Sequence, residues 1–259
     1  MARVIVKILH TIWAVYAVLV FAVLAVTATL IVAVLPGLER RRVVAKRASQ
    51  LIFLAWGIPV KVSGSELLPE HACVVVSNHA SYLDGIILTA ALPARFAFVI
   101  KKEMLSIPLA GLLLRRIGSE FVERKNQHRG AIDARRLLRK AHSGDALAFF
   151  PEGTFASEPG LRRFRSGAFV AAARAGLPVV PVIIRGAREV LPDQHWLPRP
   201  GRLHVVVTEP VGPAGEKDNV AAQTLSSFSR RRILDLIDEP DLLDQEEAGR
   251  PAEKPVSTG

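Results

Sequence analysis

A histidine followed five residues later by an aspartate, in Val74-Val-Val-Ser-Asn-His-Ala-Ser-Tyr-Leu-Asp-Gly85, has the residue types for acid–base chemistry. On one continuous helix, five residues would turn the two side chains about 140° apart, at roughly 3.6 residues per turn. They meet only if His79 sits in a loop after a strand and Asp84 in the first turn of the next helix. Ser81 then serves as N-cap with Asp84 at the third helical position, an arrangement like a capping box. In that geometry the carboxylate holds one imidazole nitrogen and the other faces a cleft. This is the base-plus-orienter half of an acyl-transfer site. Read alone, the same residues also describe a packed polar loop.

Three further blocks add to the pair. In Phe149-Phe-Pro-Glu-Gly-Thr154, Pro151 ends an apolar run and Gly153 permits a tight turn, so Glu152 projects from a strand end toward the cleft. Downstream, Phe164-Arg-Ser-Gly-Ala-Phe169 opens a helix whose first amides, together with Arg165, suit an anion. Gly118-Ser-Glu-Phe-Val-Glu-Arg124 is a strand ending in arginine, and Lys101-Lys102 end the strand before it. A guanidinium fork and two ammonium groups at one sheet edge suit a phosphate. The last block, Val179-Val-Pro-Val-Ile-Ile-Arg185, has no polar side chain before Arg185. Its Pro181 implies an edge strand or a bulge.

The elements that must position these residues alternate. Strand-like runs fall at 60–62, 73–77, 96–101, 120–123, 146–150, 179–185 and 203–208. Helical stretches lie near 82–91, 103–116, 127–142 and 166–175, with a last helix near 220–237. Short apolar strands between helices predict an α/β domain with a mainly parallel central sheet flanked by helices. Sites on such sheets lie beyond the carboxyl ends of strands, where His79, Arg124 and Glu152 all fall.

Before this domain, Thr11 to Leu35 carries no charge and Pro36-Gly37 closes the run. About 25 residues at roughly 1.5 Å each give about 37 Å, enough to cross a ~30 Å hydrocarbon core with tilt. The run is too long for the apolar region of a secretory signal, so helix 11–36 reads as a retained membrane anchor. Arg40, Arg41, Arg42, Lys46 and Arg47 outweigh Arg3 and Lys7, which puts the chain after this helix on the cytoplasmic side of a cell inner membrane. Residues 48–59 are apolar but too short to span. With Trp56 at headgroup level they form an interfacial helix pairing with the first, or else an ordinary core helix. In the interfacial case the first helix can itself be half of a re-entrant hairpin. The division is thus 1–59 membrane anchor, 60–238 catalytic domain and 239–259 disordered acidic, proline-rich tail.

The 259 residues carry a net charge of +10, which suggests an anionic partner such as a membrane surface or an acidic carrier protein. The apolar start and the lack of a zinc-finger or RNP-type signature argue against nucleic acid. With Cys73 as the only cysteine, internal disulfides and cysteine metal clusters are excluded, and its apolar setting makes it a small buried hydrophobe. There is no Gly-x-Ser-x-Gly elbow and no P-loop.

In this order the blocks resemble the 1-acylglycerol-3-phosphate acyltransferase family of lysophospholipid and glycerophosphate acyltransferases. Asn78-His79-x4-Asp84 looks like its first motif, Gly118–Arg124 its second, Phe150-Pro-Glu-Gly-Thr154 its third and Val180-Pro-Val182 its fourth. The resemblance covers roughly residues 60 to 210. It implies an αβ sandwich sitting on the membrane, His79 as general base, Asp84 as its orienter, and an acceptor held by the second and third motifs. On these positions the candidate substrate-binding residues are Lys101, Lys102, Arg124, Glu152, Gly153, Thr154 and Arg165. It further implies an acyl-CoA or acyl carrier protein thioester as co-substrate, with no metal or other cofactor. One position departs: many members carry arginine directly after Glu-Gly-Thr, where this chain has Phe155. The chain therefore reads as a membrane-anchored O-acyltransferase acting on a lysophospholipid, with 1-acylglycerol 3-phosphate the first candidate. The rivals are another lyso-lipid acceptor such as a lyso-aminolipid, a thioesterase, and a non-catalytic lipid-binding membrane protein.

Overall fold

The computed structural model describes residues 2–123, 136–143, 145–155, 157–212 and 219–243. Seven strands form one sheet: β1 (Val60–Ser63), β2 (Val74–Ser77), β3 (Ala97–Lys101), β4 (Glu120–Val122), β5 (Leu147–Phe149), β6 (Val179–Arg185) and β7 (Leu203–Val207). Their order is β1-β7-β6-β2-β5-β3-β4. Strands β2 to β6 run parallel. Because β7 is antiparallel to β6 and β1 is parallel to β7, these two run the opposite way. All four β2 residues are buried, which is why its sequence is apolar without alternation.

Helices cover both faces. On one lie α1 (Ala2–Val34), α2 (Leu38–Ala55) and α3 (Asp84–Ala91), with α4 (Pro108–Arg116) packed against α1. On the other lie the described turns of α5 (136–142), then α6 (Gly167–Ala175) and α8 (Asn219–Leu234). A short α7 (Ala187–Val190) comes after β6. Most of the predicted 127–142 helix lies outside the described residues.

Pro181 is not on an edge. It pairs with Val76 inside the sheet, where the ladder from β6 to β7 stops at Val182–Val207 and only an isolated Val179–Val211 bridge continues. The carbonyl of Pro181 still accepts from the N–H and hydroxyl of Thr208. The missing N–H therefore falls at an interruption in the ladder.

The second helix begins at Leu38 rather than 48, and it belongs to the core. Ile52, Phe53 and Trp56 are buried against β-strand side chains, and burying one such side chain is worth about 1.5–3 kcal/mol. Its basic residues face inward too. Arg42 donates to the carbonyls of Arg95, Ile117 and Gly118. One turn on, Lys46 donates to Leu92 at 2.7 Å, and Gln50 to Ala90 at 3.0 Å. These donors cap the carboxyl ends of α4 and α3, as cations at helix C-termini do. Arg41, Arg42 and Lys46 thus lock α2 to the domain, leaving Arg40 and Arg47 exposed in that cluster. Trp56 is likewise buried within the protein. Its indole N–H donates to Ala17 in α1 at 2.9 Å, and its ring meets Trp13 edge-on. Within residues 1–59, α2 therefore packs into the core of the domain that follows and holds α1 beside it.

The chain end differs in the same sense. Glu239 pairs with Arg188, Asp241 with Arg230, and Leu242 is buried against Gly160, so the fold reaches at least Leu243. The rest of the predicted tail lies outside the described residues.

Candidate active site

Strand β2 ends at Ser77, and Asn78 extends it with a side chain. Its amide donates to the Ile184 carbonyl at 2.9 Å and its oxygen accepts from the Ile184 N–H at 2.8 Å. The backbone then turns, and His79 Nδ1 stands 2.8 Å from Asp84 Oδ2. That oxygen also accepts the N–H groups of Ala80 at 2.6 Å and Ser81 at 2.8 Å. The expected capping box does not form: α3 starts at Asp84 with Leu83 as its N-cap, so the acid reaches back to the Ser81 N–H from the first helical position. Ser81 Oγ accepts from the Leu83 N–H and donates to the Leu191 carbonyl. Asp84 is fully buried at the start of α3. With Nδ1 donating to the carboxylate, Nε2 carries the free lone pair.

Aromatic rings enclose the imidazole. Phe150 stacks on it with centroids 4.4 Å apart, and Phe155 meets it edge-on at 4.8 Å. Tyr82 braces Phe155 at 4.7 Å. Only 19% of the His79 side chain reaches solvent.

Glu152 does not project into open space as expected from the strand end. It is buried, with Oε1 accepting the N–H of His79 at 2.7 Å and Oε2 that of Arg162 at 2.9 Å. It clamps the histidine loop to the loop before α6, with each oxygen held by a backbone N–H. Burial pushes its carboxyl up to about 8, against these two hydrogen bonds, with Asp84 and Glu239 adding repulsion. Gly153 comes next with φ 80°, and a Cβ there would meet Arg165 Nε at 2.6 Å, so glycine lets the arginine lie across the turn. The Arg165 N–H donates to Pro151 at 2.8 Å. Thr154 and Arg165 are exposed beside this turn.

The fold thus joins His79, Asp84 and Glu152 by direct hydrogen bonds and sets Gly153, Thr154 and Arg165 on the adjoining turn. Lys101 and Lys102 are at the same edge of the sheet, two strands away at about 10 Å by ordinary strand spacing. Arg124 lies outside the described residues. Nothing in the residue types of Asn78, Phe150 and Phe155 marks them as part of the site. Only their adjacency to His79 and Glu152 in sequence does. Cys73 is buried and unbridged, and burial pushes its thiol up to about 11, which leaves it inert.

A buried Asp84 beside His79, at the carboxyl edge of the parallel strands, is an arrangement that can move a proton through Nε2. Residues 59–185 match the Acyltransferase family model, and the chain belongs to that family. It is 31% identical over 153 residues to a chloroplastic 1-acyl-sn-glycerol-3-phosphate acyltransferase of Brassica napus, covering 58% of this chain and 44% of that protein. It is 34% identical over 140 residues to the lyso-ornithine lipid O-acyltransferase of Pseudomonas aeruginosa, covering 54% and 53%. The 1-acyl-sn-glycerol-3-phosphate acyltransferase of Haemophilus influenzae is 28% identical over 170 residues, with 64% and 70% covered. The chain spans about half the length of the first two. In fold it is similar to the crystal structure of the 1-acyl-sn-glycerophosphate acyltransferase of Thermotoga maritima. That likeness has a TM-score of 0.73 at 24% identity, over 89% of this chain and 97% of that one.

Proposed function

We propose that this chain transfers a fatty acyl group from a thioester to the free hydroxyl of a lysophospholipid. The observation that carries the reading is the His79 Nδ1–Asp84 Oδ2 contact of 2.8 Å, which leaves Nε2 to act as base. Nε2 takes the proton of the acceptor hydroxyl as its oxygen attacks the thioester carbonyl. The tetrahedral intermediate collapses with loss of the thiolate, and the imidazolium returns the proton to that sulfur. Asp84 fixes the ring and stabilises the imidazolium, while the aromatic wall keeps water from competing for the acyl group. No step calls for a metal or a bound cofactor; acyl-CoA or acyl carrier protein is the donor.

The acceptor we favour is 1-acylglycerol 3-phosphate, giving phosphatidic acid. Arg165 beside Gly153 supports an anionic head group, and Lys101, Lys102 and Arg124 are the other charges assigned to it. Phe155 favours a second reading, a lyso-aminolipid, because an apolar ring packs against the base where a guanidinium would hold a phosphate. An acceptor panel with purified protein in detergent, using both thioester donors, separates the two. Turnover of the phosphorylated acceptor alone supports the first. Hydrolysis indifferent to any acceptor would support a thioesterase instead.

The membrane assignment rests on α1, long and apolar enough to cross a bilayer. Its pairing with α2 limits how it enters. The Tyr16 hydroxyl donates to Ala55, Trp56 reaches Ala17, and Arg116 donates to the carbonyls of Val32 and Ala33. Residues from about 16 to 34 therefore travel with the domain, and residues 3–12, all exposed, run on alone. We read this as a hairpin seated in one leaflet, on the cytoplasmic face of a cell inner membrane.

A further inference from the structure

The strand directions place a second apolar feature at the end of the molecule where α1 projects. Arg42 reaches carbonyls that precede β3 and β4, so α2 starts at the amino edge of the parallel strands. It leads into β1, which runs against β2 and so begins at the carboxyl edge, the edge of His79. The α1 residues that pass the end of α2, 3–12, therefore extend on the active-site side. There Val4, Ile5, Ile8, Leu9 and Ile12 are all exposed. The connection from β6 to β7 lies at this same edge, since Arg185 pairs with His204. At its tip Trp196 is 90% exposed and Leu197 45%.

A single exposed tryptophan on a surface needs no explanation. This one is held out by a fixed stem. Ser157 donates to Asp193 and accepts from the Gln194 side chain at 3.2 Å. The Arg199 N–H donates to Val190 at 2.7 Å, and Ser81, in the loop of the catalytic pair, donates to Leu191 at 2.8 Å. Gln194 adopts φ 61°, uncommon outside glycine. Exposed Arg199 and Arg202 come after the tip, and exposed Tyr82 lies beside the His79 wall. An apolar ring with a polar N–H, flanked by cations and at the same end of the molecule as an apolar helix terminus, matches the headgroup layer of a bilayer.

We propose that the 194–197 loop is a second membrane contact, seating Trp196 and Leu197 at headgroup depth in the leaflet that takes the start of α1. This rests on the seating of α1 proposed above. Because the loop stem is hydrogen-bonded to Ser81, the contact sets how far the His79 cleft stands from acceptor lipids in that leaflet.

The test uses the full chain bound to phosphatidylcholine vesicles whose acyl chains carry bromine at shallow or deep positions. Comparison of the parent with Trp196→Phe isolates the Trp196 emission from that of Trp13 and Trp56. The expected result is quenching of that component, stronger from shallow bromines. With acceptor in the vesicles, Trp196→Ser with Leu197→Ser should turn over several-fold more slowly, with the rate on a water-soluble short-chain acceptor unchanged. An unquenched Trp196 on protein that floats with the vesicles overturns the loop contact and leaves the α1 anchor standing. Protein that does not float overturns both.

Discussion

The backbone N–H of His79 donates to the Glu152 carboxylate at 2.7 Å, joining two residues 73 apart in the chain. His79 is thus oriented twice: its ring by Asp84 and its backbone by Glu152. Glutamate is needed there because two separate N–H groups each require an acceptor oxygen. A carboxamide offers one oxygen and would turn its NH2 toward the other donor.

Glu152→Gln should therefore lower both transfer and stability, because one of its two backbone contacts is lost. A buried donor left without its acceptor costs about 1–3 kcal/mol. In a chain of this size that is a fall in melting temperature of roughly 2–10 °C. Thermal unfolding in detergent beside a transfer assay checks this, and unchanged values in both would remove Glu152 from the clamp.

The raised Glu152 pKa gives the stability a pH dependence of known sign. A carboxyl moved from 4.5 to about 8 binds a proton in the folded state that it has lost in the unfolded state. Its contribution to stability is present at low pH, falls as pH rises from 4.5 to about 8, and is level above that. Glu152→Gln lacks this dependence, so its deficit relative to the parent should shrink across the same interval. A constant deficit from about pH 5 to about pH 8 would show that Glu152 is an ordinary carboxylate.

The locking of α2 predicts that the helical hairpin cannot be cut away. A chain beginning at Lys61 loses Ile52, Phe53 and Trp56 from the core and the Arg42 and Lys46 caps, and should not fold. Within the full chain, Arg42→Ala should cost about 1–3 kcal/mol by stranding part-buried carbonyls. A folded, monomeric 61–259 fragment by circular dichroism would contradict this.

Head-group recognition is tested by Arg165→Ala and Phe155→Arg. The first should raise KM for a phosphorylated acceptor well above any change in donor KM. The second should lower it by adding a guanidinium at the His79 wall. If neither substitution, nor Arg124→Ala, changes acceptor KM, the lyso-aminolipid reading is the better one.

Strands β2, β5 and β6 are legible in the sequence because strands buried on both faces are unbroken apolar runs, β7 because its burial alternates, and His79-x4-Asp84 because its spacing admits one loop-to-helix geometry. Less is legible where a residue's role depends on its neighbour across the sheet. Arg42 and Lys46 are charged, which in sequence resembles a solvated or topogenic cluster, yet their partners are carbonyls some 45 to 76 residues away. Pro181 marks an interrupted ladder but not its place inside the sheet. Glu152 and Phe155 reveal their roles only once β2 and β5 are paired. Trp56 has the sequence surroundings of an interfacial anchor, yet packing against α1 buries it, while Trp196 is the exposed one.

Whether His79 is the base of an acyl transfer is decided by single-turnover transfer from a labelled thioester to 1-acylglycerol 3-phosphate with His79→Ala. Folding and vesicle flotation are verified on the same sample. A positioned base is worth roughly 10² to 10⁴ in rate. The expected outcome is a loss of about that size, with folding and flotation intact, and a smaller loss for Asp84→Asn. Transfer at the parental rate by folded, membrane-bound His79→Ala would remove His79 from the chemistry.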